Sequence, residues 1–145
     1  MDTVALIYPT ALLVTLTFIV SIALVSYRFY LVRTQQVHPG YFKLNRGGKP
    51  PKRHEALLDN YNNLFQVPIL YYAVVAFAIV TQNIDETLVT LAWAFVGLRI
   101  VHTLIHVIYN NILHRLAVFF AAYVAVGMMW IQLVSAIISP AINTA

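Results

Sequence analysis

Apolar residues gather in four runs, each long enough for a helix to cross a hydrocarbon layer of roughly 30 Å, which takes about 20 residues. The runs are Val4–Val32, Leu57–Val80, Thr87–Tyr109 and Leu116–Ile138. The first connection, Thr34–Ala56, holds Pro39, Gly40, Gly47, Gly48, Pro50 and Pro51, and it reads as a surface segment with no helix of its own until about Arg53. The other two, around Asp85–Glu86 and Ile112–Arg115, are short turns, so the second, third and fourth helices are expected as antiparallel neighbours. The pattern predicts an all-α integral membrane protein, a single domain over residues 1–145 folded as a four-transmembrane-helix up-down bundle. There is no internal repeat or low-complexity tract, and coiled-coil heptads do not persist in any run.

Composition strengthens this reading. Of 145 residues, 61% are hydrophobic and only 10% charged, and the mean hydropathy of +0.76 rules out a water-soluble fold. Seven of the nine Lys and Arg (Arg28, Arg33, Lys43, Arg46, Lys49, Lys52 and Arg53) lie in one 26-residue stretch between apolar runs. By the positive-inside rule the Thr34–Ala56 loop and the Ile112–Arg115 turn are expected in the cytoplasm, with both termini and the Asp85–Glu86 turn extracytoplasmic. Tyr27, Tyr30 and Tyr109 would form an inner aromatic belt. The first run carries Asp2 and no basic residue at its leading end, which is unlike a signal peptide, so it is expected to stay in the mature protein. The net charge of +4 is accounted for by the clustered loop, which lacks a recognition motif, so no nucleic-acid partner is expected. With no cysteine, the chain has no thiol of its own for disulfides, metal ligation or nucleophilic attack.

Polar groups inside the apolar runs are costly, about 2.5–3.5 kcal/mol for a central Arg on insertion scales, so those present point to packing or function. The second run begins with a stripe of Glu55, Asp59, Asn62, Asn63 and Gln66. Pro68 follows, depriving the Leu64 carbonyl of its helical donor and predicting a kink. The third run carries Arg99, His102, His106, Tyr109 and Asn110 on one face. At 1.5 Å per residue Arg99 lies about 15 Å from Tyr109, near the bilayer midplane, where Gln66 and Asn63 are its expected partners. Arg99 is therefore read as a structural intramembrane residue. Such stripes can equally be the glue between helices, and a basic loop can act simply as a topology signal that attracts anionic headgroups. His102 and His106 form an HxxxH pair, but there is no second histidine box, and His38, His54 and His114 lie in or beside loops. No metal or haem is expected.

The segments EALLDNYNNLFQVP (from Glu55) and RIVHTLIHVIYNNILHR (Arg99 to Arg115) resemble the MAPEG family, the membrane-associated proteins of eicosanoid and glutathione metabolism, and look particularly like its bacterial branch. The likeness extends over nearly the whole chain. It implies a homotrimer of four-helix protomers that binds glutathione between neighbours near the cytoplasmic face. Members are glutathione transferases and peroxidases, prostaglandin and leukotriene synthases, or a non-catalytic lipid-binding activator.

The family's second-helix motif ERxxRAxxNxxE falls here on Glu55, Asn63 and Gln66, while Ala56 and Asp59 stand at its arginines and Asn60 at its alanine. Its third-helix RxxHxxxY falls on Arg99 and His102, with His106 at the tyrosine, and Arg115 falls on the arginine placed at the thiolate. The resemblance thus implies glutathione as cosubstrate, Arg115 as the catalytic residue, and Glu55, Asn63, Gln66, His102 and His106 as glutathione-binding candidates. Arg33, Lys52, Arg53 and His38 are candidate replacements for the missing cations, since glutathione carries two carboxylates and Asp59 replaces attraction with repulsion. An arginine near a bound thiol favours the thiolate, the true nucleophile. The expected function is glutathione-dependent transfer or peroxidase chemistry on lipophilic electrophiles that arrive from the membrane lipids. The alternative is a non-catalytic lipid-binding member or an assembly subunit of a larger membrane complex, a reading favoured by Asp59, Gln66 and His106.

Overall fold

Each apolar run folds as helix, and the second is divided in two. The computed structural model describes residues 2–44 and 50–143. Its helices are α1 (Val4–Arg33), α2 (Pro39–Leu44), α3 (Lys52–Asn63), α4 (Val67–Val80), α5 (Glu86–Ile108) and α6 (Ile112–Asn143). With α3 and α4 taken as one span, four units are long and apolar enough to cross a membrane: Val4–Arg33, Lys52–Val80, Glu86–Ile108 and Ile112–Ser139. Arg46, Gly47, Gly48 and Lys49 of the first connection lie outside the described residues.

Local chemistry sets the ends. In α1 the hydroxyls of Thr10, Thr15, Thr17 and Ser21 each donate to the carbonyl four residues earlier, so these groups meet no unpaired cost in an apolar surrounding. Asp85 starts α5, its carboxylate accepting from the Leu88 N–H at 2.7 Å, and its other oxygen accepts from Gln132 of α6. Asn110, with φ of 49°, ends α5 by donating its N–H to the Ile105 carbonyl at 2.7 Å. The Asn111 side chain then opens α6, accepting from the N–H groups of Leu113 and His114 at 3.0 and 3.2 Å.

Three expectations are corrected. The first connection has a short helix of its own, α2, ahead of the helix start expected near Arg53, which α3 supplies at Lys52. Ile112–Arg115 is no turn: capped by Asn111, these residues form the first turn of α6. The second span breaks where a kink was expected. It stops at Asn63, turns through Leu64–Gln66 and restarts at Val67, which places Pro68 in a first helical turn where no N–H is needed.

The break divides the packing of the second span, with α3 against α1 and α5 and α4 against α6. The apolar core fills the half of the bundle remote from the first connection. It joins Leu6 and Leu13 of α1, Tyr71, Val74 and Ala78 of α4, Leu88, Ala92 and Phe95 of α5, and Ala122, Val126, Met129 and Leu133 of α6. The Tyr71 and Phe95 rings stack at 4.8 Å, and the Tyr71 hydroxyl meets Thr10 Oγ1 at 3.0 Å. Ala78, Ala92 and Ala122 let the backbones approach. The other half holds the buried polar groups.

Candidate functional site

Burial of Leu57 and Leu64 sets the rotation of α3, and the side chains at matching helical spacing go inward with them. These are His54 and Asn60, each almost wholly enclosed. Glu55, Asp59 and Asn62 consequently lie on the exposed side, Gln66 is exposed in the turn, and only Asn63 of the expected stripe is half-buried. The leucines mark the inward face of α3, and their spacing could have identified Asn60, which the stripe left out.

On α5 the buried polar groups are Arg99, His102, Thr103 and His106, whereas Tyr109 and Asn110 lie exposed beyond the end of the helix. Thr103 Oγ1 donates to Asn60 Oδ1 at 3.3 Å, which ties α5 to α3. Arg99 has no exposed surface, and its Nη2 donates to the Asn63 backbone carbonyl at 2.7 Å. The expected partners were the side chains of Asn63 and Gln66. The helix break supplies a main-chain acceptor in their place, because an Asn63 carbonyl released from the helical ladder is a stronger and better fixed acceptor than a mobile amide.

Arg115, in the first turn of α6, donates from Nη1 to Asn110 Oδ1 at 2.7 Å, while its Nε is enclosed without a partner. Arg99 and Arg115 both lie within electrostatic reach of His102. The His102 and His106 rings are 5.0 Å apart between centroids, and His102 also meets the Phe119 ring at 6.1 Å. Enclosed polar atoms without a hydrogen bond concentrate here: Arg99 Nε and Nη1, Asn60 Nδ2, His102 Nδ1 and Arg115 Nε. Buried donors and acceptors of this kind are costly to leave unmet, and bound water or a polar ligand can satisfy them.

Two cavities reach this cluster. One of about 290 Å³ is lined by Asn63, His102, Ile112, Arg115, Leu116 and Phe119. The other, about 540 Å³, has Lys52, Arg53, Ala56 and Leu57 on one wall and His106, Tyr109 and Asn110 on the other. Arg115, Asn63, His102 and His106 thus line the two spaces, while Glu55, Gln66 and Arg33 are exposed and line neither. His54, expected in or beside a loop, is buried in α3, where its Nε2 accepts from Arg28 Nε at 3.2 Å. Among the described residues no three His, Asp or Glu side chains converge as metal ligands.

Chemically, the arrangement is a pair of guanidinium groups and two imidazoles beside a space half lined by apolar side chains. It suits a small molecule with an anionic group and an apolar reaction partner. Neither the curated proteins nor the solved structures give a match to this chain. The model of the MAPEG family does match, over residues 6–135, from the first helix into the last. This four-span integral membrane protein belongs to the MAPEG family.

Proposed function

We propose that the chain is a glutathione-dependent transferase or peroxidase acting on lipophilic electrophiles, with Arg115 at the sulfur. The observation that carries this reading is the unmet Arg115 Nε at a cavity it shares with His102, Asn63 and the apolar Leu116 and Phe119. A cation beside the sulfur favours the thiolate, and the apolar wall suits an acceptor arriving from the lipid. Lys52 and Arg53 line the larger cavity on the wall where Ala56 replaces a family arginine, which returns positive charge for the glutathione carboxylates. Glu55, Asp59, Asn62 and Gln66 form an exposed polar face in the single chain. Such a face is poorly suited to lipid and well suited to a neighbouring copy in a homotrimer.

One observation favours a non-catalytic, lipid-binding member or assembly subunit. Asp59 is exposed on α3 at the position of a family arginine, and its carboxylate opposes an anionic peptide. Equilibrium binding of glutathione to the detergent-purified protein, read together with thiolate absorbance near neutral pH, separates the two. Binding with a thiolate band is expected for the transferase, and absence of both would leave the lipid-binding reading.

A further inference from the structure

A second group of residues, toward the end of α1 nearest the first connection, is built around Arg28, which shares a helix face with the buried Leu24 and Leu31. Its Nε donates to His54 Nε2 at 3.2 Å, and its guanidinium carbon stands 5.5 Å from the centre of the Phe42 ring. The Phe42 and His54 rings meet at 5.4 Å, so α2 and α3 hold the guanidinium between them. Arginine can only donate, so His54 is a neutral imidazole here with its proton on Nδ1. The terminal nitrogens Nη1 and Nη2 have no hydrogen-bond partner in the described residues.

The guanidinium borders an apolar groove of about 370 Å³, lined otherwise by Val25, Phe29, Val32, Pro39 and Phe42. Arg28 lies five residues inside the end of α1 at Arg33, a depth of about 7.5 Å along the helix. For a helix of about 45 Å centred on a hydrocarbon core of about 30 Å, that depth is where headgroup phosphates meet acyl chains. No Asp or Glu occurs between Asp2 and Glu55, so nothing in this stretch neutralises its seven Lys and Arg.

We infer that the α1–α2 groove binds an anionic phospholipid, its phosphate on the two free Arg28 nitrogens and one acyl chain along Val25, Phe29, Val32 and Phe42. The planar fork suits two phosphate oxygens at once, and both the stack on Phe42 and the bond to His54 fix its direction beforehand. The inference does not depend on glutathione chemistry, because neither Arg28 nor Phe42 lines the cavities around His102 and His106.

The test mixes the full chain, in neutral detergent, with palmitoyl-oleoyl phosphatidylglycerol or with phosphatidylcholine of the same chains, and native mass spectrometry reads the retained lipid. Phosphatidylglycerol should be retained in preference. Arg28→Gln should reduce the preference by about fivefold, and Lys52→Gln, which removes an equal charge elsewhere in the basic stretch, should preserve it. Val32→Trp fills the groove while keeping the guanidinium, so it should release the lipid, and it decides the matter if Arg28→Gln fails to fold. Equal retention of the two lipids would overturn the site, and so would equal losses in Arg28→Gln and Lys52→Gln, which mark diffuse attraction. Displacement by the water-soluble glycerophosphoglycerol headgroup alone would show that the groove holds no chain and would overturn the proposal as well.

Discussion

Arg99 Nη2 of α5 donates to the Asn63 main-chain carbonyl at the end of α3, 2.7 Å away, and so joins the third span to the second where the second is broken. The bond consumes one of five N–H donors, while Nε and Nη1 are enclosed and unpartnered. A group so costly to bury is kept for the position it fixes or for what it holds.

Truncation at this point should therefore destabilise the bundle. Arg99→Ala leaves a cavity and removes the tie to Asn63, and a loss of about 2–4 kcal/mol is expected, read as a lower thermal unfolding midpoint in detergent. An unchanged midpoint would show that Arg99 is held for a ligand alone.

Pro68→Ala tests the nature of the break. A proline in a helix interior costs about 3 kcal/mol, so its removal there would stabilise the protein markedly. In the first turn of α4 it costs almost nothing, and the expected change is within about 0.5 kcal/mol. A large gain in thermal stability would mean that α3 and α4 form one strained helix.

The spans were legible because length and apolar content alone decide whether a helix can cross a bilayer, and Pro68 marked the region of irregularity within three residues. Less legible was which side of α3 turns inward. The polar stripe alone does not say which way α3 turns: Leu57 and Leu64 are buried, and Glu55 and Asp59 lie on the side the single chain leaves open. Arg115, His102, His106 and Asn63, singled out from the polar stripes and the family motifs, line the two cavities. Asn60, Thr103 and the pairing of His54 with Arg28 depend on which helices face one another, and no local pattern carries that.

At the other end of the bundle, Asp85 is both the cap of α5 and the acceptor for Gln132 of α6. Asp85→Ala should cost about 1–2 kcal/mol from the cap alone. Gln132→Ala, which leaves the cap intact, should cost less, and thermal unfolding of the pair of variants would show whether the order is reversed.

Arg115→Ala separates activation of a thiol from its binding. With glutathione as cosubstrate, turnover should fall by about a hundredfold and the thiolate band should vanish, while affinity stays near that of the unaltered protein. A band that survives the substitution would move thiolate activation to another residue.

The charge map makes a prediction about sidedness. Tags at either terminus should be protected in sealed, inside-out vesicles, because the basic first connection is expected on the cytoplasmic side. Labelling of a terminal tag from the cytoplasmic side would reverse the orientation.

The interruption at Leu64–Gln66 also has an electrostatic consequence. One continuous helix would carry its partial charges only at the two membrane surfaces, but division into α3 and α4 brings the negative pole of α3 to Asn63, deep in the bundle. Arg99 rests on that pole. In partly buried geometries such an arrangement is worth up to about 2 kcal/mol, so the peptide dipoles of α3 supply part of the countercharge that a carboxylate would otherwise provide. Among the described residues no acidic side chain takes up the other Arg99 donors, so the guanidinium's remaining field bears on His102 beside it.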